Sequence, residues 1–194
     1  MKPGNTAVVT GASSGIGRAA CLKFVEHGMN VWMVDVDAKE LAASQKLAKE
    51  KANEHQFVLA EIVDVSDATA VDNLAFQVFE QNGKCHILMN NAGTGLGGGA
   101  LTTEMETVQN VMAVNTYGPI HGCLSFIPRM KQTGEPGIII NTGSKQGITM
   151  PPGNLTYNMS KAALKCYTEG LEHELRNDET CKQLRAALLV PGWV

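Results

Sequence analysis

Six short apolar runs, each too brief for a helix and largely without polar alternation, recur along the chain at Thr6–Thr10, Asn30–Asp35, Gln56–Val63, His86–Asn90, Gly137–Asn141 and Arg185–Val190. A strand shows this pattern when helices cover both of its faces. Between the runs lie stretches with helical periodicity, which predict helices over Gly15–Glu26, Ala38–Asn53, Asp67–Gln81, Thr103–Lys131 and Thr156–Arg176, with Ser66 and Thr102 as capping residues. Strict β-α alternation joined by right-handed crossovers predicts an α/β fold, a three-layer doubly wound parallel sheet.

No repeat, low-complexity tract or Pro/Ser-rich linker divides the 194 residues, and one domain over 1–194 is expected. Lys and Arg number 16 against 19 Asp and Glu, for a formal charge of -3, with no basic run. That balance argues against nucleic acid and anionic lipid as partners. No apolar run approaches the ~18–20 residues of a membrane span, and Met1–Thr10 lacks the apolar core of a secretory signal, so a cytoplasmic protein is expected. Cys21, Cys85, Cys123, Cys166 and Cys181 contain no CxxC pair, and the five histidines have no ligand spacing, so neither disulfide nor metal is expected.

The first strand runs into Thr10-Gly11-Ala12-Ser13-Ser14-Gly15-Ile16-Gly17, with a helix immediately after. Glycines allow the tight turn and the close backbone approach that a pyrophosphate needs at a helix N-terminus. Ile16 and Gly17 stand where a phosphate-loop NTPase would need Gly-Lys, so that class is excluded. The second strand ends in Val34-Asp35, and a carboxylate there can accept hydrogen bonds from both adenosine ribose hydroxyls while repelling a 2′-phosphate. Ser14 offers no positive charge to such a phosphate. NAD is therefore favoured over NADP, with Asp37 a weaker candidate for the ribose.

Tyr157 and Lys161, four residues apart, share one helix face. A free phenol near pKa 10 is roughly 0.1% ionised at pH 7, whereas an ammonium about 4 Å away can lower that pKa by about three units at an effective dielectric of 20. Such a tyrosine can serve as a general acid or base near neutrality. Ser144, just past the fifth strand, falls on the same ligand edge and can hydrogen-bond a carbonyl oxygen becoming an alkoxide.

These residues, taken in order, resemble the short-chain dehydrogenase/reductase family over the whole chain. Gly11–Gly17 is similar to its cofactor motif, Asp64-Val65 to the pair flanking the adenine, and Asn90-Asn91-Ala92-Gly93 to its NNAG segment. Asn115 falls where the family's fourth catalytic residue lies, and Pro191-Gly192 matches the loop at the nicotinamide end. The resemblance implies a Rossmann fold and a catalytic tetrad of Asn115, Ser144, Tyr157 and Lys161. It implies a cofactor set of Gly11, Ser13, Ser14, Gly15, Ile16, Gly17, Asp35, Asp64, Val65, Asn91, Ala92, Gly93, Pro191, Gly192 and Val194, together with Tyr157 and Lys161. The substrate implied is a small secondary alcohol or ketone.

Two other readings stay open: a cofactor-binding or scaffold protein with little turnover, and an epimerase or lyase of the same family. Substrate walls are expected from Thr94–Ala100 and Lys145–Asn154. A homodimer or homotetramer is implied, paired through Thr103–Lys131 and Thr156–Arg176, with Met105, Val108, Val111, Met112, Leu164 and Leu171 as its apolar surface or as core. Relative to the family, a last helix and edge strand are expected to be missing after the Pro-Gly loop, which would leave Arg185–Val190 as an exposed edge.

Overall fold

The computed structural model describes residues 2–95 and 98–192. Strands β1 (Thr6–Thr10), β2 (Asn30–Asp35), β3 (Val58–Ile62), β4 (Ile87–Asn90), β5 (Gly137–Thr142) and β6 (Leu184–Leu189) form one sheet in the order β3-β2-β1-β4-β5-β6. Every pairing is parallel, for example Val8 with Trp32 on one side and with Leu88 on the other. The helices are α1 (Gly15–Glu26), α2 (Ala38–Lys51), α3 (Ala68–Asn82), α4 (Met105–Met112), α5 (Gly118–Thr133), α6 (Gln146–Thr149) and α7 (Leu155–Asn177).

The absence of polar alternation in the strands has its expected cause. Val8, Trp32, Val34 and Leu88 point into a core shared with Leu74 and Val78 of α3, Phe126 and Met130 of α5, and Leu175 of α7. Their strand neighbours Ala7, Val9, Val31, Met33, Ile87 and Met89 point into a second core, with Cys21, Phe24 and Val25 of α1 and Leu41 and Ala48 of α2. Two buried faces favour apolar side chains at both sets of alternating positions, and this makes the three layers.

Several boundaries differ from the sequence reading. The stretch read as one helix over Thr103–Lys131 is two helices joined by a π-helical segment, Ala113–Tyr117. Gly118 N donates to Ala113 O, five residues back, and Pro119, next in the chain, has no N–H to offer the carbonyl of Asn115. Asp67, not Ser66, caps α3, accepting from Thr69 N and Ala70 N at 2.8 and 3.2 Å. Glu104, not Thr102, precedes α4. The four-residue α6 is too short to show periodicity. Val111 and Leu164 are buried and belong to the interior, whereas Met105 is exposed.

His86 joins β1 to β4 at the amino edge of the sheet: its Nδ1 accepts from Thr6 N at 2.9 Å, and its own N donates to Thr6 O at 2.9 Å. Burial and the nearby Lys84 charge hold its pKa below the usual histidine value. The unfolded chain therefore takes up a proton near pH 6.5 that the folded chain refuses, so stability present above pH 6.5 falls as pH drops through that value. Melting temperatures at pH 7.5 and 5.5 should show a larger acid loss for the wild type than for His86→Gln, which has nothing to titrate. Equal losses would contradict this role.

Candidate active site

The sheet order reverses beside β1, whose neighbours β2 and β4 lead the chain in opposite directions, and a crevice opens at the carboxyl ends of the strands there. It is a cavity of about 610 Å³. Its walls come from the loop after β1, the ends of β2 and β3, the Asn91–Gly95 segment, Val114, the end of β5, the start of α7 and the Pro191-Gly192 turn.

At one end, Gly11, Ser13, Ser14, Gly15 and Ile16 line the cavity. Gly11 has φ +65°, which a side chain would oppose, and a Cβ there would stand 2.8 Å from the Cα of Ala92. Ser14 caps α1 in extended backbone without a side-chain cap bond, so no serine hydroxyl competes for the first N–H groups of this twelve-residue helix. Gly17 is not a wall residue. It packs behind the loop, where a Cβ would overlap the Gly11 carbonyl oxygen and approach Asn91 Nδ2 to 2.7 Å.

Asp35, at the end of β2, is held by three backbone donors: Ser13 N on Oδ2 at 2.9 Å, and Val36 N and Asp37 N on Oδ1 at 2.8 and 3.1 Å. Asp37 is the N-cap of α2, accepting from Lys39 N and Glu40 N, and is not a cavity residue. Asp64 lines the cavity with its Oδ1 engaged by the N–H and hydroxyl of Ser66, and Val65 beside it is buried.

Asn91, Ala92 and Gly93 cross the middle of the cavity. Thr10 fixes them, its hydroxyl oxygen accepting from both Asn91 N and Ala92 N at 3.0 Å. Asn91 Nδ2 donates to Thr10 O at 3.1 Å, and Thr142 Oγ1 donates to Asn91 Oδ1 at 3.2 Å. Asn90, the first residue of the segment, points away from the cavity and donates to Asn141 Oδ1 at 2.9 Å inside the core.

At the other end, Ser144, Tyr157 and Lys161 come together. Ser144 Oγ accepts from Gln146 N at 3.1 Å, which turns the chain into α6. Lys161 Nζ lies 5.8 Å from the centre of the Tyr157 ring and donates to Thr142 O at 2.8 Å. Burial brings the Lys161 ammonium down to about 8, so it remains mostly charged at neutral pH. Asn115 is fully buried and does not reach the cavity wall. Its amide instead clasps the Thr94 backbone, Oδ1 accepting from Thr94 N at 2.8 Å and Nδ2 donating to Thr94 O at 2.9 Å. Asn115 Nδ2 also meets Ser160 Oγ at 3.1 Å, which ties the π segment to the turn of α7 carrying Tyr157 and Lys161.

Pro191 and Gly192 line the cavity, whereas Val194 lies outside the described residues. The stretch Lys145–Asn154, read as a substrate wall, forms α6 and the turn before α7 and contributes nothing to this cavity; of Thr94–Ala100, Thr94 and Gly95 do. Sequence reasoning missed Val63, Thr142 and Gly143 as wall residues, and Thr10 and Ser160 as supports. Thr10 ends the first strand as read and Thr142 follows the Gly137–Asn141 run by one residue, so both stand at the ligand edge, a signal that was there to be used.

The family model for short chain dehydrogenases matches residues 5–194. The structure superposes with TM-score 0.93 on a short chain dehydrogenase/reductase from Burkholderia phymatum solved in complex with NAD, 38% identical, covering 99% of this chain and 66% of that one. A metagenomic short-chain oxidoreductase solved in complex with NADP gives TM-score 0.89 at 31% identity, covering 100% of this chain and 84% of that one. The 1-deoxy-11-beta-hydroxypentalenate dehydrogenase of Streptomyces avermitilis is 32% identical over 193 residues, 98% of this chain and 68% of its own length. Curated relatives are longer than this chain, which spans from 29% to 68% of their length. A match that begins at residue 5 and takes in both ends of the cavity places the chain in the short chain dehydrogenase family.

Proposed function

We propose that the protein is an NAD-dependent oxidoreductase acting on a secondary alcohol or ketone, with Tyr157 as the general acid/base. The observation that carries this reading is that one cavity joins the glycine loop and Asp35 at one end to Ser144, Tyr157 and Lys161 at the other. The cavity suits an extended dinucleotide: the α1 N-terminus has no side-chain cap, and Gly15 faces open space where a Cβ would touch nothing within 4 Å. The pyrophosphate falls to Gly11–Ile16, the adenosine ribose to Asp35, the adenine to Asp64-Val65, and the nicotinamide half to Asn91–Gly93, Tyr157, Lys161 and Pro191-Gly192. Bound there, the cofactor supplies the hydride acceptor or donor.

Tyr157 exchanges the proton of the substrate hydroxyl. Lys161, charged at neutral pH and held by the Thr142 carbonyl, stabilises negative charge as it develops on the phenol oxygen. Ser144 already accepts from Gln146 N, so its own hydroxyl proton is directed to the substrate oxygen and polarises it. Asn115 acts from behind the wall by fixing the Thr94 backbone and Ser160. A small alcohol or ketone is the substrate class. Self-association into a homodimer or homotetramer is supported by exposed Met105 on α4, Leu124 on α5 and Met159 on α7.

NAD is preferred because a carboxylate already fixed by three amides cannot move aside for a 2′-phosphate. Asp35→Ser should therefore weaken NAD binding by about tenfold and tighten NADP, reversing their order in a fluorescence titration with the reduced cofactors. If the variant kept the wild-type preference, Asp35 would not be the selecting residue.

A further inference from the structure

Helix α2 buries a stripe of three residues, Leu41, Ser44 and Ala48. Two of them are apolar, as a helix packed on a sheet requires, while Ser44 is polar and has no exposed surface at all. A serine inside a helix commonly spends its hydroxyl proton on the carbonyl four residues back. Ser44 instead donates across 31 residues of sequence to the carbonyl of Ser13, at 2.7 Å.

Ser13 is thereby held on both sides of its residue. Its N–H donates to Asp35 Oδ2 at 2.9 Å and its C=O accepts from Ser44. Asp35 Oδ1 takes the N–H of Asp37, and Asp37 caps the helix on which Ser44 stands. The hydrogen bonds and the helix close a ring: Asp35, Ser13, Ser44, α2, Asp37 and back to Asp35. The loop has Gly on both sides of Ala12–Ser14; Ala12 N ties it to Val34 O at 3.1 Å, and the ring fixes the next residue, Ser13, against the carboxylate.

We infer that Ser44 is a positioning residue for cofactor selection: through Ser13 it fixes the orientation of the Asp35 carboxylate that meets the adenosine ribose. The inference rests on the NAD reading above. Without the Ser44 hydroxyl, the buried Ser13 carbonyl loses its partner, and Ser13 is left with its N–H bond to Asp35 and the bond of Ala12 N to Val34 O before it, so the residue can shift. A shift of Ser13 turns the N–H that aims Asp35 Oδ2, and the hydrogen bonds of that carboxylate to a 2′,3′-diol are weakened.

The test is a titration of the intact protein with NADH and with NADPH, followed by nicotinamide fluorescence, for the wild type, Ser44→Ala and Ser44→Thr. Alanine fills the same space without the hydroxyl, while threonine retains it. The expected result is a five- to tenfold weaker NADH Kd for Ser44→Ala and a change in the NADPH Kd of less than twofold, so that the preference narrows. Ser44→Thr should recover at least half of the lost preference. A general loosening would weaken both cofactors equally, and that outcome overturns the inference, as does a Ser44→Ala variant within twofold of the wild type for both. If Ser44→Ala fails to fold, Ser44→Thr and Ser44→Cys decide it, the first expected near wild type and the second reduced in preference, since a thiol is a weak donor. A wild type that binds neither cofactor would instead refute the NAD reading itself.

Discussion

Tyr157→Phe is expected to lower turnover by about a thousandfold or more while leaving NAD affinity within about threefold of the wild type. The substitution removes one oxygen and keeps the ring, so the contact of Lys161 with the ring face, 5.8 Å from its centre, survives. Lys161 also keeps its bond to the Thr142 carbonyl, because that bond does not pass through the tyrosine. In the proposed reading affinity is made mainly at Gly11–Ile16 and Asp35, at the other end of the cavity. What disappears is the group proposed to give and take the hydroxyl proton, leaving that step to water. Absorbance at 340 nm reports turnover, and quenching of protein fluorescence reports binding. Turnover within tenfold of the wild type would remove Tyr157 from its role. Loss of both properties together would mean that the tyrosine holds the cofactor rather than working on the substrate.

Gly17→Ala should weaken NAD binding by at least about a hundredfold and destabilise the protein by about 1–3 kcal/mol. The residue does not touch the cavity, and its role is to let α1 press against the loop that does. A Cβ at Gly17 overlaps the Gly11 carbonyl oxygen and comes within 2.8 Å of the Gly11 carbonyl carbon. These are backbone atoms, so no rotamer change relieves the contact, and either the helix or the loop must shift. The third close atom, Asn91 Nδ2 at 2.7 Å, donates to Thr10 O and ties the loop to the middle of the cavity, so a shift spreads there as well. Calorimetric titration with NAD, paired with thermal unfolding, measures both effects. A variant that binds NAD as well as the wild type would show that the loop tolerates the displacement and that its geometry does not set affinity.

The sheet could be read from the chain because its signal is repeated: every strand is a short apolar run, and every crossover is long enough to carry a 3.6-residue period. The glycine loop and the Tyr157–Lys161 pair could be read because the chemistry demands a fixed local spacing. What escaped the reading is single residues whose partners are remote in sequence. Thr10 binds Asn91 and Ala92 across 81 and 82 positions, and Ser160 meets Asn115 across 45. No periodicity marks such a residue, and only the fold brings the pair together.

The helix read over Thr103–Lys131 failed for a different reason. Its apolar period continues through the break, which is a single π-helical turn closed by Gly118 N on Ala113 O just before Pro119. That break gives Asn115 its buried position, from which it clasps Thr94 rather than facing the cavity. Asp37 was displaced as a ribose candidate by an equally local cause: a carboxylate that precedes a helix is taken up by the first free amides.

We propose that the 610 Å³ cavity, with Asp35 at the end of β2, is a site that selects NAD. Calorimetric titration of the unmodified protein with NAD and, separately, with NADP tests it most directly. Saturable one-to-one binding of NAD is expected, with NADP weaker by at least about tenfold. Binding of NADP as tight as NAD, or no saturable binding of either, would contradict it.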